Sequence, residues 1–294
     1  MPPRVLTLLT LLLVPTPSQP LPPDARAELT RWRAEQDARM RAPDSPLARD
    51  TTRDLTPGHN RLGSGQGDAL RFDRPGLPPA ALDLVWQGET VMLEPLLPLV
   101  LRNGEPAVPG PVQPGDRIAV GPLTLSIYWN QPALAPRVPA LAVSDASRSE
   151  FLAYRGLHYL PEDGRYRVPA MFEPAAAGRT LTLETSTGGE RILPLRGVLH
   201  FTLDGRPLSL DAFALGERPN DLFVIFKDRT SGHATYGPGR FVWVPGAVHG
   251  KAVIDFNLAW NPLCAYSPAF NCPLAPAENR LPVAIPVGEA TYPH

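Results

Sequence analysis

Thirty-eight prolines in 294 residues constrain this chain more than any other feature. Average usage is about 5%, and each proline removes a backbone donor and breaks a helix interior. A mainly helical protein is therefore disfavoured, and short strands joined by proline-rich turns fit. Hydrophobic residues make up 43% of the chain, enough for a packed core, and the length suits about two domains. The formal charge of −1 argues against nucleic acid as a partner, because such binders carry a basic stripe or a pI above about 9.

Residues 5–14 (VLTLLTLLLV) follow Arg4 and read as the apolar part of a secretory signal over 1–18. Thr16 and Ser18 supply small residues at cleavage positions. An uncleaved anchor is the alternative, although the run is shorter than the roughly 20 residues a bilayer needs. No later stretch resembles a transmembrane helix. The expected location is extracytoplasmic: secreted, periplasmic or in the cell envelope. Cys264 and Cys272 are the only cysteines, and an even count in an oxidising compartment favours a disulfide. Closing the short loop CAYSPAFNC would contribute about 2–3 kcal/mol by chain entropy. Free or redox thiols and a metal site are the other readings. The spacing is not C-x-x-C, and no histidine stands at a zinc spacing. We expect no metal and no cofactor.

One helix is predicted over 24–41 (DARAELTRWRAEQDARMR), with Ala25, Leu29, Trp32, Gln36 and Met40 along one side and Asp24 as its cap. A polar linker reaches residue 57. Short strands at 69–72, 82–86, 90–93, 97–101, 117–120 and 123–129, separated by Pro-Gly, Gln-Gly and Asn-Gly turns, make a small β domain over 58–130. A proline-rich joint at 130–139 separates it from a C-terminal β domain over 140–294. Its strands are expected at 166–172, 180–185, 191–195, 197–203, 222–226, 240–244 and 253–257, with a hairpin at Asp204-Gly205. The fold class is all-β: an N-terminal helix, a β-sandwich, then a second sandwich or barrel-like domain.

Several segments resemble one family of exported bacterial proteins without an established activity, the domain of unknown function family 1684. They are FLAYRGLHYLPEDGRYRVPAMF from Phe151, GVLHFTLDG from Gly197, LFVIFKDRTSGHATYGPGRF from Leu222, and DFNLAWNPLCAYSPAFNCPLAPAENRLPVAIPVGE from Asp255. Lys227, Trp260 and Leu263 depart from the family pattern conservatively. The resemblance implies an exported or envelope protein with an all-β C-terminal domain. In the first domain, RLGSGQGDALRF, LRNGEPA and PGDRIAVGPLTLSI resemble a forkhead-associated sandwich. Ser64 stands where that fold carries a phosphate-binding Arg, and Pro78-Pro79-Ala80 replaces its Ser and His. The resemblance implies the shape and not phosphopeptide binding.

The C-terminal segments crowd polar residues beside strands: Asp228, Thr230, Tyr236, Arg240, Asp255, Asn257, Asn261, Glu278, Asn279 and Arg280. Two readings stand. In one they line a pocket, with Arg240 or Arg280 gripping an anion and Tyr236 donating a hydrogen bond. In the other they satisfy the carbonyls of a proline-rich loop, and Asp228-x-Thr-Ser-Gly forms Asx and Ser/Thr turns. The histidines are scattered, with no H-x-x-x-H spacing, and no nucleophile elbow, P-loop or dinucleotide fingerprint occurs. Trp86, Trp129 and Trp243 read as core. The function expected is a non-catalytic, monomeric module binding a small molecule or an envelope component. The alternative is a hydrolase-like enzyme using Asp228 and Asp255 as an acid–base pair.

Overall fold

The computed structural model describes residues 18–130, 137–216 and 218–293. The leader and most of the proline-rich joint lie outside the described residues. The architecture is mostly β, as the proline content predicts. Helix α1 (Pro23–Met40) starts one residue earlier than expected. Pro22 occupies the N-cap with no side-chain cap bond, so Asp24 does not cap the helix but sits in its first turn. Ala25, Leu29 and Met40 are buried on one side.

The first unit is a two-sheet sandwich. Its strands are β1 (Arg49–Asp54), β2 (Gly58–Gly63), β3 (Leu70–Arg71), β4 (Leu82–Gln87), β5 (Thr90–Pro95), β6 (Leu101–Arg102), β7 (Glu105–Pro106), β8 (Gly110–Pro111), β9 (Ile118–Val120), β10 (Leu123–Asn130) and β11 (Val138–Asp145). One sheet has the order β1-β11-β10-β9-β6-β7 and the other β3-β2-β4-β5-β8. Leu62, Leu82, Leu84, Leu93, Ile118 and Leu125 fill the space between them. Trp86 and Trp129 meet edge to face, centroids 6.4 Å apart, and pack against that core. Two strands cross the expected boundaries. The first, β1, lies in the expected linker, and β11 begins inside the expected joint and pairs with both β10 and β1.

The second unit is built on one sheet, ordered β17-β16-β15-β14-β12-β18. Its strands are β12 (Arg167–Pro174), β13 (Thr180–Glu184), β14 (Glu190–Leu203), β15 (Arg206–Phe213), β16 (Leu222–Phe226), β17 (Arg240–Val244) and β18 (Lys251–Asp255). Two expected strands fuse into β14, whose first half pairs β13 and whose second half pairs β12. The register slips between Leu195 and Gly197 on the β15 side. Gly197 sits there at φ 156°, with the Phe172 ring where a Cβ would fall, so the bulge needs a glycine.

Every residue of β16 (LFVIF) is buried, because both faces of the sheet are covered. On one face Leu210, Val224, Val242, Ile254 and Phe256 pack against Leu281, Val283, Ile285 and Val287 of the C-terminal tail. On the other, Phe213, Phe223, Ile225 and Phe241 pack against Trp243, Trp260 and the loop carrying the cysteines. Among the described residues no helix is long and apolar enough to cross a membrane.

Candidate functional site

The expected polar set divides into buried ties and one open cleft. The ties come first. Arg240 opens β17 directly opposite Phe226 at the end of β16, and its side chain is wholly buried. Its Nη2 donates to Asp228 Oδ2 and to the Ile285 carbonyl, each at 2.9 Å. Its Nη1 donates to the Val287 carbonyl. Asp228 Oδ1 accepts from the Thr230 amide at 2.8 Å, the Thr230 hydroxyl at 2.6 Å and the Ile285 amide at 3.1 Å. Burial pulls the Arg240 guanidinium below its ordinary value, and the Asp228 charge opposes that shift. With its own proton given to Asp228, the Thr230 hydroxyl accepts from the Thr235 hydroxyl at 2.8 Å.

Three asparagines act the same way. Asn279 donates to the carbonyls of Asp211 and Ile225 and accepts from the Asp211 amide. Asn257 bridges Asp163 and Asp255. Asn261 donates its amide and its Nδ2 to the two carboxylate oxygens of Glu289, at 3.0 and 2.9 Å. Glu278 and Arg280 are exposed on the strand-free segment beside Asn279 and form no ion pair among the described residues. Tyr236 donates to the Cys264 carbonyl at 3.3 Å. Asp228, Arg240 and Tyr236 are therefore not gathered with Asp255 around one opening, as an acid–base pair would require. Asp228 spends its oxygens on Arg240 and backbone, and Asp255 faces Arg167 at 3.5 Å.

Cys264 and Cys272 are free thiols here, so the expected disulfide is not formed in this structure. They lie side by side: the Cys264 amide donates to Cys272 Sγ at 3.3 Å. The Cys272 thiol, hydrogen-bonded to Cys264, pulls the latter below its ordinary value. Among the described residues no group of three His, Cys, Asp or Glu side chains is gathered to hold a metal ion.

Glu289 was not singled out by sequence reasoning. It is 1% exposed and accepts from the Tyr266 hydroxyl as well as from Asn261. Gly288 precedes it at φ 79°, and a Cβ there would press on the Phe256 and Ala259 carbonyls at 2.8 and 2.9 Å. Only a glycine turns the chain tightly enough to bring Glu289 inward.

The open cleft holds about 230 Å³ between α1 and the sheet. The helix contributes Trp32 with Glu28, Arg31 and Glu35, and β17 contributes Trp243. Trp260, Arg167, Arg218, Asp221 and Asp255 complete the wall. Trp243 and Trp260 lie nearly parallel, 25° apart with centroids at 6.5 Å, and Trp32 is tilted 56° to Trp260 at the same distance. The platform is held from below. Phe223 lies 4.9 Å from Trp243, and Phe241 lies edge to face with Trp260. Trp260 also exchanges both backbone hydrogen bonds with Phe241 at 2.9 Å. The Arg218 guanidinium sits 5.4 Å over the Trp243 ring. Burial raises the Asp255 carboxyl above its ordinary value, against the hydrogen bonds from Asn257. Trp243, read as core, is half-buried and lines this cleft.

The family model for a protein of unknown function (DUF1684) matches residues 152–290. An uncharacterised protein of Haloarcula marismortui, solved by solution NMR, is 37% identical, with the match covering 47% of this chain and 77% of that one at a TM-score of 0.39. The chain belongs to the DUF1684 family. The family segment takes in β12 to β18 and the tail, including Asp255, Trp243, Trp260 and Glu289, but not α1 and Trp32. The FhaA FHA domain, solved with the intracellular domain of Rv3910, is 22% identical over 30% of this chain and 82% of that chain, at a TM-score of 0.23. A second structure, from an analysis of phosphothreonine-dependent FHA domain interactions, covers 31% of this chain and 79% of that one at the same identity and TM-score. No curated protein matches the chain.

Two predictions follow from the buried ties. Asp228→Asn presents an amide to the Arg240 guanidinium and leaves a buried charge uncompensated, so urea unfolding is expected to show a loss of about 3–5 kcal/mol. A loss no larger than that of a surface substitution would contradict the role assigned to the pair. The second concerns pH. Burial pushes the Glu289 carboxyl up to about 7, against the bonds from Tyr266 and Asn261 that favour its charged form. A carboxyl raised on folding holds its proton more tightly in the native state. Its contribution is therefore full below the unfolded value and is lost as pH rises through the folded one. Between pH 4.5 and about 7 stability is expected to fall, and Glu289→Gln to flatten most of that decline. Asp255 and Asp211, also raised by burial, contribute to the remainder. Equal slopes for the two proteins would remove Glu289 as the cause.

Proposed function

We propose that this protein is a non-catalytic binding module of the cell exterior or envelope, and that the tryptophan cleft takes one ring of a neutral saccharide. The observation that carries the reading is the platform of Trp32, Trp243 and Trp260 flanked by charged groups of both signs. The C–H face of a pyranose is apolar and lies flat on an indole. Its hydroxyls, in the plane of the ring, need donors and acceptors around the rim. Arg167, Arg218 and Arg31 supply donors; Asp255, Asp221, Glu28 and Glu35 supply acceptors. Four acids against three arginines leave no positive surplus for a nucleotide's phosphates, and the arginines disfavour a cationic ligand. The volume of about 230 Å³ suits a single ring, hence a monosaccharide or the end of a glycan. The platform is fixed before the ligand arrives, which lowers the cost of ordering it.

Titration of tryptophan fluorescence with glucose, N-acetylglucosamine and chitobiose tests the reading. At least one is expected to quench, and Trp260→Ala or Trp243→Ala to weaken it about tenfold, since a stacked aromatic platform contributes about 1–3 kcal/mol. Asp255→Asn is expected to weaken it less. Silence toward all three sugars, or quenching indifferent to both tryptophan variants, would sink the proposal.

The same reading includes export and, with it, oxidation of the neighbouring cysteines. What supports it is the apolar run at 5–14 and the contact between Cys264 and Cys272. Protein recovered from its native compartment and denatured without reductant is expected to show no titratable thiol. Two thiols per chain would overturn this part of the reading.

A further inference from the structure

A second cleft lies further along the same face of α1, at its C-terminal end, where the helix, the first sandwich and the cysteine-bearing loop meet. It holds about 450 Å³, within the roughly 300–1,000 Å³ of small-molecule sites. Arg39 from the last turn of α1, Arg49 from the start of β1 and Arg117 just before β9 line it, with Asp44 as the one carboxylate. Arg117 is paired with Asp44 at 2.8 Å. Arg39 and Arg49 have no carboxylate partner among the described residues. Arg49 donates from Nε to the Ser144 hydroxyl at 3.3 Å, and its guanidinium lies 5.1 Å over the Phe270 ring. Phe270 and Leu263 form the apolar wall.

The charges can be added directly. The Arg117–Asp44 pair is neutral, which leaves two positive charges facing the cavity in a chain whose formal charge is −1. Arg49 is held half-buried, and burial lowers its guanidinium below the ordinary value. Half-burying a guanidinium without a paired carboxylate carries a desolvation cost, which the Phe270 stacking and the Asp44 charge offset in part. The frame around it is closed: the Ser267 hydroxyl from the loop donates to the Arg49 carbonyl at 3.1 Å, fastening the two units across the cleft. Two forked donors facing one space match an oxyanion. The double charge matches a group carrying about −1.5 to −2 at neutral pH, which a phosphomonoester does and a carboxylate or sulfate ester does not. The cavity exceeds the needs of a bare ion, and the aromatic wall accepts an organic group.

We propose that this cleft binds a small phosphomonoester, its phosphate between Arg39 and Arg49 and its organic part against Phe270 and Leu263. Ser64 and the 78–80 turn, the positions that correspond to phosphate contacts in the forkhead-associated fold, do not line it. The proposal does not depend on the saccharide reading.

Calorimetric titration with phenyl phosphate, phenyl sulfate and inorganic phosphate tests it on the full chain. Phenyl phosphate is expected to bind at least about tenfold more tightly than either of the others. Its affinity is expected to fall as pH drops below about 6, where the phosphate dianion takes up a proton and becomes a monoanion. Arg49→Gln and Arg39→Gln are each expected to weaken binding about tenfold, and Arg206→Gln, exposed on β15 and outside the cleft lining, to leave it unchanged. Arg39 is exposed, so Arg39→Gln decides the matter if Arg49→Gln fails to fold. Equal affinities for phenyl phosphate and phenyl sulfate, equal affinities for phenyl phosphate and inorganic phosphate, or an undiminished affinity in Arg39→Gln would each overturn the assignment.

Discussion

The buried pair of Arg240 and Asp228 is the interaction on which the second unit depends. A sheet with both faces covered needs a cover on each side, and here one cover is a proline-bearing tail that, among the described residues, meets the chain just after β16 in a single bridge, Arg280 with Lys227. Pro282 and Pro286 have no amide to donate, and the tail alternates Leu281, Val283, Ile285 and Val287 inward with Pro282, Ala284 and Pro286 outward. The 227–229 segment takes up the Asn279 and Val283 carbonyls and the Leu281 amide, and side chains satisfy groups beyond it. Arg240 takes the Ile285 and Val287 carbonyls, and Asp228 takes the Ile285 amide. A buried ion pair is weak evidence of stability, because desolvation offsets attraction. Its contribution here is to specify one position for residues 285–287, beyond the backbone bonds to 227–229, and that position also sets Glu289 and Asn261 in place.

The buried polar groups and the open cleft are consequences of one arrangement. Asn257 holds Asp163 and Asp255 together beside the end of β18, and Asp255 forms the rim of the cleft. Trp260 sits one turn further on, braced by Phe241. The asparagines that looked like ligands on paper instead position the residues that line the opening. Helix α1 then closes the cleft with Trp32, and the burial of Leu21, Ala25 and Leu29 beside Leu258 keeps it seated.

Strand periods and turn residues were legible in the sequence. The fully apolar run of β16 and the span of β17 stand where they were expected, and so does the alternation of β13. Strands β1 and β11 were not legible. RDTTRD has no apolar face of its own and reads as linker, while VPALAVSD follows a proline-rich stretch; β11 is a strand because it pairs with β10 along its whole length, and β1 because it then pairs with β11. The region of the polar residues was legible, but their roles were not. Whether Asp228 faces solvent or an arginine depends on where a tail more than 50 residues away returns. The tryptophan cleft was hidden for the same reason. It joins a helix near the start of the chain to residues near its end, and one sequence carries no mark of that meeting.

One property of the tail reaches beyond the single molecule. At the outer side of β17 the chain pairs only once, Phe241 with Trp260, and then runs on through Pro262, Pro268, Pro273 and Pro276. A bare outermost strand invites a foreign strand to add to it. Here that margin is occupied by a segment too poor in amide donors to offer a ladder of its own. The composition that made helices improbable thus also shields the sheet from growing into its neighbours.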